Sequence, residues 1–170
     1  MNIIEIFTKS IFLIISFDSD LWEIIILSLY VSISALIIAS ILGLLIGYYI
    51  ALKKFLFKSF ILIVLNSLMG IPPVVVGLIV YFMFASGGPF GVLQLLYTPT
   101  AMIIAQVIII FPIVTSISHE IFDQNWREYK DQLRSINMPF FGVAFIITKH
   151  SYFLVITALL SAFGRAISEV

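Results

Sequence analysis

The sequence predicts an all-α, polytopic transmembrane helical bundle with about four spans, preceded by an interfacial helix and carrying one hydrophilic helix. Of its 170 residues, 62% are hydrophobic and 11% are charged, and the mean hydropathy is +1.19. A soluble domain of this size cannot bury that much apolar surface. Seven of the nine Lys and Arg residues fall in two segments, 52–58 and 122–150. Because cytoplasmic loops of membrane proteins are enriched in Lys and Arg, both segments are predicted to be cytoplasmic.

Residues 1–18 are predicted to form the interfacial helix, because Glu5 and Lys9 belong to one narrow polar face. Asp18 then provides an N-cap for the first span, at about 21–51. This span is longer than the roughly 20 residues that a bilayer core requires. Small residues occupy about one third of its circumference and predict close packing against another helix. They are Ser28, Ser32, Ala35, Ala39, Gly43 and Gly47.

The second predicted span, about 59–84, is interrupted by two consecutive prolines, Pro72 and Pro73. They remove two backbone donors and clash with the preceding turn, so the helix must kink or break there. A rise of 1.5 Å per residue from Lys58 places Gly70 about 18 Å from the inner interface, near the middle of the membrane. Irregular backbone at that depth requires surrounding protein or a water-lined cavity. The break is therefore either a gate on a translocation path or a packing kink.

The third predicted span, about 99–118, starts with the helix-capping pair Thr98-Pro99. Gln106 is its only strongly polar interior residue. We expect the Gln106 side chain to bond to a neighbouring helix, with contact to a substrate as the alternative. A hydrophilic helix is predicted from 119 to 138, where Pro139 ends it.

The fourth predicted span, about 151–169, contains Arg165 and Glu169, which are four residues apart and can pair on one helix face. Arg165 lies in the outer half of the membrane, where an ionisable residue is a functional candidate. The alternative is a side chain that reaches the outer surface. The candidates for a pathway or gate are therefore Gly70, Pro72, Pro73, Arg165 and Glu169.

Composition and motifs exclude several kinds of site. The chain contains no cysteine, which excludes disulfides and thiolate metal sites. Its two histidines, His119 and His150, are too far apart in sequence to suggest a metal centre, so no metal site is predicted. There is no Gly-x-x-x-x-Gly-Lys-[Ser/Thr] phosphate loop, which excludes ATP hydrolysis by that route. An integral membrane enzyme would need clustered catalytic side chains, whereas His119-Glu120 and the Arg165/Glu169 pair are predicted near opposite membrane faces.

Four ordered stretches, at 66–78, 88–91, 97–102 and 162–170, resemble the inner-membrane permease subunits of bacterial ABC importers for tungstate. These permeases are related to those for molybdate and sulfate, and the sequence does not separate the three oxyanions. The resemblance covers nearly the whole chain from residue 21. It implies a single permease-type transmembrane domain, 1–170, in a bacterial cytoplasmic (inner) membrane.

The resemblance also implies the partners of such a chain. Two copies of the permease pair, a separate ABC ATPase subunit hydrolyses ATP, and an extracytoplasmic substrate-binding protein delivers the oxyanion. The chain itself is then not an enzyme and binds no cofactor, and nucleic acid is not a partner.

Permeases of this superfamily carry a cytoplasmic coupling helix that docks onto the ATPase. By resemblance, the matching residues lie within the basic segment 122–150, and they are Asp131, Gln132, Leu133, Arg134, Ser135, Ile136 and Asn137. The stretch departs from the family signature, because Asp131 stands for glutamate, Gln132-Leu133 for two alanines and Asn137 for the usual glycine. Related permeases continue beyond position 170, so the sequence is expected to be a truncated product or a fragment. A truncated, non-transporting membrane fragment is therefore the alternative function.

Overall fold

The computed structural model describes residue 16 and residues 18–169, and in this range the regular secondary structure is entirely helical. Its α-helices are α1 (Ser19–Leu52), α2 (Lys58–Leu68), α3 (Pro73–Phe84), α4 (Pro99–Ser135), α5 (Phe140–His150) and α6 (Tyr152–Ile167). One turn of 3-10 helix, Gly91–Leu93, lies between α3 and α4. The all-α prediction is confirmed for the described residues. The predicted interfacial helix falls almost wholly outside them.

Two helix starts follow capping signals in the sequence. At the start of α1, Asp18 Oδ1 accepts a hydrogen bond of 3.2 Å from the Leu21 N–H. At the start of α4, Thr98 Oγ1 accepts a hydrogen bond of 3.4 Å from the Ala101 N–H. Pro99 occupies the first helical position, where its missing N–H leaves no bond unmade. Both caps confirm the predictions from sequence.

Two helices, α1 and α4, are each long and apolar enough to cross a membrane. The other candidates are bent pairs, with 99° between α2 and α3 and 78° between α5 and α6. The described part of the chain therefore has two spans by length and composition, or up to four if each bent pair counts as one. The predicted second span is thus two helices, and α6 alone is only 16 residues long.

The predicted boundary at residue 118 is not a helix end. α4 continues without interruption from Pro99 to Ser135 and passes through Pro112. The polarity of the sequence changes at residue 118, but no strong helix breaker occurs between Pro112 and Pro139. The hydrophilic helix is therefore the continuation of the third span rather than a separate element.

α1 lies along α4 by means of its small-residue stripe, as predicted. Ala35 and Ala39 are fully buried, and they share a core with Ile110 and Val114 of α4. α6 completes this core with two further buried residues, Ala162 and Ala166. Short side chains allow the backbones of adjacent helices to approach closely, which is how membrane helices gain van der Waals contact.

A second core lies at the end of the bundle where α1 ends and α5 begins. Phe122 of α4 is its largest fully buried side chain. Its ring meets the Tyr48 ring of α1 edge-on, with 5.7 Å between the ring centroids. Val143 and Ile147 of α5 and Val155 of α6 pack into the same cluster. This core fixes α5 and the hydrophilic end of α4 to the membrane-spanning helices.

Candidate gate and coupling segment

The backbone break predicted at the double proline is present. α2 ends at Leu68, and two short turns follow, in which Gly70 N–H donates to Ser67 and Ile71 N–H donates to Leu68. Pro72 has extended backbone angles (φ −61°, ψ 135°) and precedes the first residue of α3. The sequence thus correctly located the interruption, whereas the role of the break as a gate stays a prediction.

The first turn of α3 is poorly suited to hold an anion. Helix N-termini bind anions through free backbone N–H groups. Here Pro73 has no N–H, and the N–H groups of Val75 and Val76 donate to the Pro72 carbonyl at 2.9 and 3.5 Å. Val74 is left as the one residue of that turn whose N–H is available. The geometry therefore fits a hinge or constriction better than a ligand site.

A cavity of about 290 Å³ lies between α3 and α4, beside the break. Two of the five pathway candidates, Pro73 and Glu169, line it together with Gln106. The other lining residues are Val74, Gly77, Met102, Ala105 and Ile109. The structure therefore brings the break and the end of the described chain to one space. Gly70, Pro72 and Arg165 lie outside this lining set.

The Arg165/Glu169 pair forms as predicted. Arg165 Nη2 lies 3.5 Å from Glu169 Oε1, and both side chains are partly exposed. The pair places the negative charge of Glu169 in the cavity lining, with the positive charge of Arg165 beside it but outside the lining. Its net charge is zero, so the pair alone does not favour an anion over a cation.

Gln106 bonds to a neighbouring helix, which confirms the first of its two interpretations. Its Nε2 donates to the Ala166 carbonyl of α6 at 3.4 Å, and the residue is 5% exposed. Among the described residues, no partner satisfies the buried Oε1. One long hydrogen bond and one unsatisfied oxygen add little net stability.

Gln106→Leu should therefore change the free energy of unfolding by less than about 1 kcal/mol. In a chain of this size that corresponds to a shift of roughly 4 °C or less in the unfolding temperature. Thermal unfolding of the protein in detergent measures it, and Ile109→Leu on the same helix is the control. A loss of folded protein in Gln106→Leu alone would contradict this weak structural role.

The residues assigned to coupling by resemblance do not form one surface. Asp131, Gln132 and Ser135 are exposed on the last turns of α4, and Ile136 is exposed in the turn that follows. Leu133 faces the other way and is buried in the core around Phe122. Arg134 lies in the same helical turn. The exposed residues are therefore accessible to a partner protein, whereas Leu133 holds the segment in place.

Asn137 explains one departure from the family signature. It has a positive φ of 49°, the left-handed conformation that glycine adopts most easily and asparagine tolerates best among other residues. The next residue, Met138, donates its N–H to the Leu133 carbonyl at 3.3 Å, and its side chain packs against the core around Phe122. This six-residue hydrogen bond and the left-handed Asn137 are features of the Schellman motif, and they end α4. Asparagine thus takes the place of glycine where the backbone requires a left-handed residue.

The structure adds a charged cluster that the sequence did not indicate as a site. Lys58 Nζ lies 3.1 Å from Asp123 Oδ1 and donates to the Ala51 carbonyl at 3.3 Å. Arg127 Nε donates to Asp123 Oδ2 at 2.7 Å. Partial burial raises the pKa of the Asp123 carboxyl, but the hydrogen bonds and charges of Lys58 and Arg127 outweigh it and hold the pKa below its usual value. Only the Asp123/Arg127 spacing of four residues could have been noticed in the sequence.

Comparison with known proteins identifies the family. Residues 39–170 match the family described as the inner membrane component of binding-protein-dependent transport systems. The chain is similar to a probable anion ABC transporter permease protein of Haloferax volcanii, at 36% identity over 84% of this chain and 62% of that protein.

Two further relatives are tungstate uptake system permease proteins. One, from Peptoclostridium acidaminophilum, is 34% identical over 99% of this chain and 74% of its own length. The other, from Campylobacter jejuni, is 28% identical over 69% of this chain and 49% of its own length. The chain thus spans between about half and three quarters of the length of these relatives. By the family match over most of its residues, the chain belongs to the inner membrane components of binding-protein-dependent transport systems.

Proposed function

We propose that this chain acts as a permease subunit of an ATP-driven importer for a tungstate-like oxyanion. In this proposal two copies form the translocation path, a separate ATPase supplies the energy, and an extracytoplasmic binding protein delivers the anion. The single observation that best supports the proposal is the similarity over 99% of the chain to a tungstate uptake permease.

The course of α4 supports the mechanism. Gln106 of this helix lines the cavity beside the break, and the exposed coupling residues lie on its last turns. About 25 residues separate Gln106 from Asp131, or roughly 37 Å of uninterrupted helix. Such a helix transmits a displacement at one end to the other, because its backbone hydrogen bonds resist bending, although Pro112 leaves one of these bonds unmade. We therefore assign the cytoplasmic end of α4 to ATPase contact and the break after α2 to gating.

Orientation is the first requirement of this proposal, and the absence of cysteine makes it directly testable. Ser135→Cys is expected to resist a membrane-impermeant maleimide added to intact cells and to react after the cells are permeabilised. Ser86→Cys, in the exposed turn after α3, should react without permeabilisation. The reverse pattern would place the coupling segment outside the cell and rule out contact with an ATPase.

The ATPase contact makes a second testable prediction. Asp131→Lys combined with Ile136→Asp changes two exposed coupling residues, so folding should be preserved while ATPase binding falls about tenfold or more. Glu128→Lys is the matched control, because Glu128 is exposed on the same helix and outside the coupling set. Co-purification with the ATPase subunit measures both. Equal recovery of ATPase by the two variants would remove the coupling role from these residues.

Substrate class is tested separately. Uptake of labelled tungstate should be competed by unlabelled tungstate at lower concentrations than by molybdate or sulfate. If molybdate or sulfate competes more strongly than tungstate, that anion is the substrate instead. The relative from Haloferax volcanii, described only as an anion permease, makes this comparison necessary.

A further inference from the structure

α2 is attached to the rest of the bundle mainly by polar contacts. Of its 11 residues only Leu65 is buried, whereas α1 buries nine side chains or glycines along its length. Apolar packing therefore contributes little to the position of α2 within the described chain. Yet α2 is the helix that leads directly into the break, so its position determines where the break lies.

Two side-chain bonds join α2 to α4. At the start of α2, Lys58 pairs with Asp123, and two residues before its end Ser116 donates to the Asn66 amide oxygen. The two bonds are about 10–12 Å apart along each helix, given a rise of 1.5 Å per residue. Two attachments at different heights prevent α2 from both sliding along α4 and rotating away from it.

A largely polar cavity lies between α2 and α4 beside these two bonds. Its volume is about 480 Å³, and its lining includes Asn66 from α2 with Ser116, His119, Glu120 and Asp123 from α4. Loss of either bond would therefore leave few apolar contacts to maintain the spacing of α2 and α4.

The position of Lys58 is itself unusual. It is the first residue of α2, and no side chain caps that helix start. A cation at a helix N-terminus is unfavourable, because the helix dipole places partial positive charge there. The contacts of Lys58 with Asp123 of α4 and the Ala51 carbonyl of α1 offset this cost. They also clamp the start of α2 to the closely packed pair of α1 and α4.

We propose that Lys58 is a positioning residue of the transport cycle, a role that rests on the function proposed above. Its bond to Asp123 makes α2 move together with the cytoplasmic part of α4. A displacement imposed by the ATPase on the end of α4 then reaches the break between Leu68 and Pro73. Without the bond, α4 moves while α2 lags behind, and ATP hydrolysis continues without opening of the path.

The test uses the permease–ATPase complex with its binding protein in proteoliposomes, and it measures ATP hydrolysed per oxyanion imported. Lys58→Met is expected to lower import at least about tenfold while hydrolysis changes less than about twofold. Lys58→Arg, which keeps the charge and the donors, should restore import. A merely structural role would lower hydrolysis and import together, and that result would overturn the proposal.

Two control variants separate this bond from general charge effects. Lys54→Met removes an exposed cation from the loop between α1 and α2. Arg127→Met removes the other partner of Asp123, and the Arg127 side chain is 79% exposed. Both should retain the wild-type ratio of hydrolysis to import. If Lys58→Met does not assemble, Asp123→Asn replaces it, because this variant keeps the side-chain size. It must show the same uncoupling, and a wild-type ratio of hydrolysis to import in Asp123→Asn overturns the proposal.

The same experiment distinguishes the inference from the function on which it rests. A wild-type complex without oxyanion-stimulated hydrolysis or import would overturn the proposed function and the inference with it. If the wild-type complex imports the anion and the Lys58→Met complex hydrolyses the same amount of ATP per anion imported, only the role of Lys58 is overturned.

Discussion

Replacing Gly47 by leucine is expected to leave no folded protein that can be extracted in detergent. A Cβ at this position would lie 2.9 Å from the Thr115 carbonyl oxygen and 3.0 Å from the His119 backbone nitrogen. Both atoms belong to the α4 backbone, which cannot move aside as a flexible side chain can. A leucine would therefore force α1 away from α4 and open the central core of the bundle.

The milder variant Gly47→Ala allows the effect to be measured. Overpacking of a close contact costs about 1–3 kcal/mol. Helix propensity opposes this with a gain of up to about 1 kcal/mol. Gly77→Ala is the matched control, because no heavy atom outside its chain neighbours and its own helix backbone lies within 4 Å of a Cβ built there. Unfolding temperatures in detergent should fall for Gly47→Ala and hold or rise for Gly77→Ala. Equal values would mean that α1 and α4 are not in backbone contact at Gly47.

Phe122→Ala should cause the second-largest loss of stability. The Phe122 ring is 2% exposed and joins residues of α1, α4, α5 and α6 in one cluster. Removal of a fully buried phenylalanine costs about 3–5 kcal/mol, because transfer free energy is lost and a cavity remains. In a chain of this size the unfolding temperature should fall by roughly 10 °C.

Phe145→Ala provides the control for this substitution. Phe145 lies on α5 next to the same core, but its side chain is 68% exposed. Its removal should change the unfolding temperature by no more than a few degrees. Thermal unfolding of the two variants in one detergent makes the comparison. Similar losses in both would show that burial in this core does not determine stability.

Local signals in the sequence predicted several features of the fold. The small-residue stripe of α1, the caps at Asp18 and Thr98 and the interruption at the double proline all depend on residues close in sequence. Each acts through backbone sterics or hydrogen bonding within a few residues, so no tertiary information was required. The bond from Gln106 to a neighbouring helix followed from its isolation among apolar residues.

Other features depend on the arrangement of distant elements. Two prolines predict that a helix is interrupted, but the 99° angle between α2 and α3 also depends on how α3 packs against α4. The continuation of α4 to Ser135 was missed, because the change in polarity at residue 118 suggested an end that the backbone does not have. The bond between Lys58 and Asp123 joins residues 65 positions apart. Nothing at either site signals it.

The right-angled break has a consequence for the lipid around the protein. α2 and α3 are each about 17–18 Å long, well short of the roughly 30 Å hydrocarbon core, whereas α1 extends to about 51 Å. A long, straight helix adapts to a thinner or thicker bilayer by changing its tilt. Two short helices joined at a steep angle adapt by changing the angle between them. Acyl-chain length thus acts most directly on the junction between α2 and α3. If the chain carries out the import proposed above, its activity should depend on the hydrophobic thickness of the host membrane.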